Sequence, residues 1–279
     1  MSLIQIAIAG DLHSEWGEED NSILEKLNPD AVLFVGDLSD GDLKIVKCIK
    51  QLSIPTAVIL GNHDTGRDST GETLQGQTNL LGELNCGWRL ISWENPRISI
   101  AGARPCSPGG GYFISKAVES VYGPVTLEES SRRIVEACTQ AATEYPLIIL
   151  AHSGPTGLGS EINSPCGRDW KPPSIDWGDK DLAMAINNLR KIRKPELVVF
   201  GHMHHLLKRG KGYRFSFVRD AWGIPYLNAA CVPRRGQDEK MRNLSHFSWV
   251  EFTDNKLSYV GHRWYLKDGS LVYQEKLLC

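Results

Sequence analysis

Short apolar runs of strand length alternate along the chain with stripes of apolar residues at helical spacing. Residues 3–9 and 31–35 are such runs, each closed by a polar step, Gly10-Asp11 and Gly36-Asp37. Between them, residues 20–27 carry Ile23, Leu24 and Leu27 on one helical face and stop at Asn28-Pro29, because proline disfavours helix in the residue before it. The unit repeats. Residues 43–52 put Ile45, Val46, Ile49 and Leu52 on one face with Lys44, Lys47 and Lys50 opposite, and lead to a third run, 56–60, ended by Gly61-Asn62-His63-Asp64. After a strand pair at 89–93 and 97–101, a helix at 126–142 with Thr126 as N-cap leads to the run 147–150 and Ala151-His152. A helix at 180–193 then leads to 197–200 and Gly201-His202-Met203-His204. Alternating strand and crossover helix predict a largely parallel α/β sheet. From residue 213 onward the runs are short (215–218, 226–228, 247–252, 257–261) and predict antiparallel strands at the sheet edges. Two Gly/Pro-rich stretches, 103–124 and 153–179, read as long loops, and the second follows His152 directly.

Composition narrows the function classes. The 279 residues include 31 Lys and Arg against 33 Asp and Glu, a formal charge of -2, so no broad cationic field is available to hold an extended nucleic acid. No window is apolar for long enough to span a bilayer, and no membrane partner is expected. The cysteines number 7, are scattered and form no C-x-x-C pair, which reads as reduced thiols in a cytoplasmic protein. The first ten residues read as a strand, having neither a basic start nor a small-residue cleavage site. The Asn243-Leu244-Ser245 sequon then carries no glycan. No linker or repeat divides the chain, so one domain over residues 1–279 is expected.

The polar residues at the ends of the predicted strands carry the chemistry. Ligands of open parallel sheets bind at the carboxyl ends of the strands, so groups distant in sequence converge there. These groups are Asp11, His13, Asp37, Asn62, His63, Asp64, His152, His202 and His204. An Asp in such a place is explained by capping the next helix, but capping does not call for His. Imidazole and carboxylate without thiolate suit ions such as Mn, Fe, Co, Ni or Zn. One ion cannot use so many groups, whereas two ions about 3.5 to 4 Å apart form the clamp of metal-assisted phosphoryl hydrolysis. The D-x-H and H-x-H spacings put both side chains of each pair on one side of an extended segment.

In chain order, Asp11-Leu12-His13, Gly36-Asp37, Gly61-Asn62-His63-Asp64, His152 and Gly201-His202-Met203-His204 resemble the five blocks of the calcineurin-like metallophosphoesterases, D-x-H, G-D, G-N-H-[DE], H and G-H-x-H. The resemblance implies a four-layer α/β/β/α sandwich with mixed sheets and a dinuclear site flanked by the loops 103–124 and 153–179. Carried over, Asp11, His13, Asp37 and His204 hold one ion and Asp37, Asn62, His152 and His202 the other, with Asp37 bridging. The ions are divalent or trivalent, Mn, Fe or Zn, with Mn or Fe preferred. His63 stays off the metals as the catalytic group for the departing oxygen, and Asp64 orients its ring. The implied activity is hydrolysis of a small phosphodiester or phosphomonoester by in-line attack of a hydroxide held by the ions, the substrate being a small phosphorylated molecule.

The chain departs from the pattern at Ser14, where the family often has Gly, and at Gly36-Asp37-Leu38-Ser39-Asp40-Gly41-Asp42, which lacks the Arg usual in phosphoprotein phosphatases. Gly154-Pro155-Thr156-Gly157-Leu158-Gly159, Cys166-Gly167-Arg168-Asp169-Trp170 and Asn228-Ala229-Ala230-Cys231-Val232-Pro233 resemble a branch found in cyanobacteria and plastids. Arg67, Arg104 and Arg168 lie on loops and are candidates to fork onto a substrate phosphate. Trp170 and Trp177 read as lid anchors or as platforms for a base, and the basic run 208–214 as a solvated hairpin. His205, His246 and His262 read as structural. The alternative to an enzyme is a non-catalytic metal-binding or protein-interaction scaffold on the same fold. The sequence leaves the oligomeric state open.

Overall fold

Two series of strands and crossover helices, one in each half of the chain, build two separate mixed sheets, as the resemblance implies. The computed structural model describes residues 2–278; Met1 and Cys279, the last of the scattered cysteines, lie outside the described residues. In chain order the elements are β1 (Leu3–Ala9), α1 (Glu18–Leu27), β2 (Ala31–Phe34), α2 (Leu43–Ile49), β3 (Thr56–Val58), α3 (Glu72–Leu81), β4 (Leu90–Glu94) and β5 (Arg97–Gly102). They continue with α4 (Lys116–Tyr122), α5 (Leu127–Thr139), β6 (Leu147–Ser153), α6 (Lys180–Leu189), β7 (Leu197–Gly201), β8 (Phe217–Arg219) and β9 (Pro225–Asn228). The chain finishes with β10 (Arg235–Gln237), β11 (Asn243–Thr253), β12 (Lys256–Tyr265) and β13 (Leu271–Leu278).

The first sheet runs β13-β12-β11-β1-β2-β3, with β10 paired to β11 off that path, and the second runs β4-β5-β6-β7-β9-β8. Each has a parallel centre, β1-β2-β3 and β5-β6-β7-β9, continued by antiparallel strands. Strands β2, β6 and β7 are buried along their whole length, as continuous apolar runs must be when both faces are covered. One apolar cluster contains Ile6, Phe34 and Val58 of the first sheet together with Ile100, Ile149 and Val199 of the second. The arrangement is the calcineurin-like α/β sandwich of two mixed sheets with helices.

Three expectations shift. β11 sits beside β1 inside its sheet instead of at an edge, and β9, antiparallel to β8 as expected, pairs parallel to β7 on its other side. Short runs report strand tendency, while partner and direction depend on contacts remote in sequence. The stretch 103–124 contains α4, capped by the Ser115 hydroxyl accepting from the Val118 N–H, and α3 forms despite Gly76 at its middle. Thr126 caps α5 by accepting the Glu129 N–H, whereas Asp179 precedes α6 with its carboxylate committed elsewhere. Among the described residues no helix is long and apolar enough to cross a membrane.

His246 on β11 and His262 on β12 are buried side by side, with His246 Nε2 3.2 Å from His262 Nδ1 and the Ser248 hydroxyl 3.0 Å from the same nitrogen. Burial, reinforced by neighbouring histidines, holds both rings far below the usual imidazole range. The unfolded chain therefore takes up protons that the folded chain refuses once pH falls below about 6.5. Stability is expected to be complete above that pH and to fall below it by about 1.4 kcal/mol per pH unit for each ring. Urea midpoints between pH 7.5 and 5, read with a chelator present, test this: a flat profile contradicts it, and His246→Asn should lessen the slope.

Candidate metal centre

Ends of parallel strands bring the polar residues of five separate segments to one place. After β1 the chain is clamped to the extension of β2 by Asp11 N–H to Gly36 O (3.1 Å) and His13 N–H to Asp37 O (2.9 Å). Asp11, His13, Asp37 and His202 all adopt positive φ, at 49, 44, 48 and 67°. Such backbone is costly for residues other than glycine and persists where the surroundings fix it, commonly at functional sites. The Asp11 carboxylate crosses to the other sheet and accepts the His202 N–H on both oxygens at 3.0 Å. Two glycines permit these approaches. A Cβ at Gly201 would meet Asp11 Oδ2 at 2.3 Å, and one at Gly61 would meet Asp37 Oδ1 at 2.2 Å.

The donors form two groups. Asp11, His13 and His204 place one ligand atom each within 4.8 Å of one another, and Asp37, His152 and His202 do the same. In the first, His13 Nε2 lies 3.1 Å from His204 Nε2, which lies 3.5 Å from Asp11 Oδ1. In the second, His152 Nε2 lies 3.3 Å from Asp37 Oδ1 and 3.0 Å from Asn62 Oδ1, so Asn62 joins that group. The other nitrogen of His152 is 2.7 Å from the Val35 carbonyl, which only accepts; Nδ1 therefore carries the proton and Nε2 is turned to the ligand side.

Burial disfavours ionised Asp37, yet the positive charge and hydrogen bond of His152 outweigh it and hold Asp37 well below the usual carboxylate range. Asp11 is likewise lowered against its burial, chiefly by the His204 hydrogen bond and His152. His152 is pushed the other way, up to about 10, because Asp37 outweighs its burial. Burial and the His152 charge bring His202 down to about 4, so at neutral pH its imidazole is unprotonated and able to ligate. Buried carboxylates facing imidazoles, with His152 giving up its Nε2 proton to any cation it binds, form a donor set that suits a borderline divalent cation, and two such sets side by side fit a dinuclear metal site.

His63 lies in a short 3-10 turn, Asn62–Thr65, and belongs to neither group. Its N–H donates to Asp37 Oδ1 at 2.9 Å, and its ring Nδ1 is 3.0 Å from Asp40 Oδ1. The orienting part expected of Asp64 is corrected here. The Asp64 carboxylate accepts the Ser39 and Gly61 N–H groups at 3.0 and 2.8 Å, fixing the turn, and burial plus the charge of Asp37 push it up to about 7. Asp40 holds the ring instead. The only signal of this in the sequence was its spacing, three residues after Asp37 in the same turn.

Of the three candidate arginines, the structure commits Arg104 elsewhere. Arg104 is 1% exposed and pairs with Asp179 and Asp181, with a further donor on the Phe113 carbonyl, so none of it is left for a phosphate. Arg168 donates to the Pro173 carbonyl at 2.8 Å and lies over the Trp177 ring. Arg67 is exposed and outside the cavity that opens beside the donors. That cavity, of about 350 Å³, reaches from His13, Asp37, His202 and His204 to a wall supplied by both long stretches, Pro108 from one and Trp170 and Trp177 from the other. Lys208 and Arg214, from the basic run that reads as a solvated hairpin, also line it. Larger hollows of about 570 and 640 Å³ lie elsewhere on the chain and hold neither donor group.

A family model described as calcineurin-like phosphoesterase matches residues 4–206. No curated protein matches the chain. Among solved structures, a dimetal phosphatase from Danio rerio is 11% identical with a TM-score of 0.58, the match covering 99% of this chain and 98% of that one. TT1561 of Thermus thermophilus is 16% identical, TM-score 0.53, covering 92% and 98%. GAP50, described as the anchor in the inner membrane complex of Plasmodium, is 12% identical, TM-score 0.51, covering 100% and 89%. At these identities the structural likeness concerns the fold alone.

Proposed function

The chain belongs to the calcineurin-like phosphoesterase family, and from that premise we propose that it is a dinuclear metal-dependent hydrolase of small phosphate esters, mono- or diester. The observation that carries this is the convergence of two nitrogen and oxygen donor groups on one cavity of small-molecule size, with His63 at its side. Asp11, His13 and His204 would hold one ion and Asn62, His152 and His202 the other, with Asp37 shared. Mn or Fe suits these donors best. Bound there, two cations supply Lewis acidity that generates a nucleophile from water near neutral pH and neutralises phosphate charge.

The chain's own groups do the rest. The carbonyl of Val35 fixes the tautomer of His152, and the Asp11 carboxylate fixes the backbone that presents His202. Asp40 accepts from His63 Nδ1, which orients the ring and leaves Nε2 free to face the departing oxygen. The pair is at least half exposed, so its support is modest: Asp40→Asn, which loses the accepting charge beside the ring, is expected to lower kcat/KM about tenfold or less with KM little changed.

The Danio rerio neighbour is named a dimetal phosphatase, in keeping with this reading. The name of the Plasmodium neighbour, an anchor, favours the second reading, a scaffold that retains the sandwich without catalysis. The intact donor groups and His63 weigh against it. Metal analysis combined with hydrolysis of p-nitrophenyl phosphate and bis-p-nitrophenyl phosphate in Mn separates the two. Two equivalents of metal and turnover of either ester are expected, and zero metal with no turnover supports the scaffold.

A further inference from the structure

The wall of the cavity away from the donors contains side chains that are spent and side chains that are not. Trp177 is spent: its indole N–H donates to the Pro108 carbonyl at 3.0 Å, Arg168 lies over its ring, and Gly109 and Gly110 are pressed so close that a Cβ on either would meet ring atoms at 2.6 to 2.8 Å. Arg214, 4% exposed, gives its donors to the carbonyls of His204, Ile162, Ser164 and Gly167. Asp169 accepts the Lys208 N–H at 2.6 Å and faces Arg214 at 3.5 Å. Through Asp169 the backbone of residue 208 is therefore fixed beside residue 170.

Two groups remain without partners. Trp170 meets Trp177 edge to face at 5.1 Å, but its indole N–H finds no acceptor among the described residues. The Lys208 ammonium has no acidic partner among the described residues, and the nearby Asp169 faces Arg214. A large indole and an exposed cation, both lining a cavity of about 350 Å³, form a site for one small molecule with a flat apolar part and a negative charge.

We propose that the cavity takes phosphate esters whose organic part is a planar ring system lying against Trp170 and which carry, besides the phosphate to be cleaved, a second anionic group held by Lys208. This rests on the phosphoesterase reading above. The donor groups take the scissile phosphate at one end of the cavity; ring and second anion occupy the other, where Trp170 sets the preference for a ring and Lys208 the preference for charge. Stacking on an aromatic side chain corresponds to about tenfold or more in affinity.

Steady-state kinetics with Mn compare glycerol 2-phosphate, AMP and adenosine 3′,5′-bisphosphate, and calorimetry gives the Kd of the bisphosphate. Wild type should favour AMP over glycerol 2-phosphate, and the bisphosphate over AMP. Trp170→Ala should cut the AMP advantage about tenfold while Trp170→Phe keeps most of it. Lys208→Ala should abolish the advantage of the bisphosphate while Lys208→Arg retains it. Equal kcat/KM for all three substrates in wild type overturns this inference and leaves the phosphoesterase reading standing. So does an equal loss on every substrate in Trp170→Ala without rescue by Phe. If wild type hydrolyses none of them and leaves bis-p-nitrophenyl phosphate intact as well, the phosphoesterase reading fails, and calorimetry decides: a Kd weakened about tenfold in Trp170→Ala and Lys208→Ala upholds the site, and an unchanged Kd overturns it.

Discussion

Asp37→Asn is expected to lower kcat/KM for phosphate ester hydrolysis on the order of 10³-fold and to bring the bound metal below two equivalents. A bound cation contributes several kcal/mol of transition-state charge stabilisation, and each 1.36 kcal/mol is a factor of about ten in rate. The substitution is nearly isosteric and keeps an oxygen to accept the His63 N–H, so the turn at residues 62–65 should persist. What disappears is the negative charge, which is buried, faces His152 at 3.3 Å and keeps that ring protonated up to about 10. Elemental analysis, kinetics and the His152 ring pKa by NMR in metal-free protein check it together. Wild-type metal content with kcat/KM within about threefold would remove Asp37 from the ligands.

Arg104→Leu is expected to destabilise the fold by about 3–5 kcal/mol, because it leaves the carboxylates of Asp179 and Asp181 buried without their cation. The guanidinium joins the stretch after β5, the Gly111 and Phe113 carbonyls, and the start of α6, so both cavity walls hang on it. Burial, only partly offset by Arg104, already pushes Asp179 up to about 7. A carboxyl raised in the folded state above its unfolded value favours folding at low pH and loses that advantage as pH rises through the folded value. The deficit of Arg104→Leu should therefore be larger at pH 8 than at pH 5.5, measured by urea unfolding. A loss under about 1 kcal/mol at pH 8 would show that Ser107 and Ser130 suffice for these carboxylates.

The seven candidate ligands were readable because each follows a largely apolar run, and the end of a buried parallel strand is where a polar side chain can reach a shared site. Glycines before Asp37, Asn62 and His202 also belong to that local signal, and the close approaches at Gly61 and Gly201 explain two of them. Helices α3 and α4 were not readable, since Gly76 interrupts one and the other has 7 residues between Gly/Pro-rich flanks. Asp64 and Asp40 show the limit at finer scale. Both are carboxylates close in sequence to His63, and only the path of the turn decides that one meets backbone N–H groups and the other the ring.

The sequence by itself determined the order of strands and crossovers in each half, the residue types gathered at the strand ends, and the kind of ion those donors suit. The tertiary structure alone decided that β11 lies beside β1 inside its sheet, that Arg104 is a buried tie between loops, and that Trp170 and Lys208 share a cavity with the donors. The physical reason is range. Periodicity and punctuation report how each residue stands relative to its own strand or helix. Which charge meets which is set by chain segments that approach one another across 75 residues or more, as Arg104 and Asp179 do.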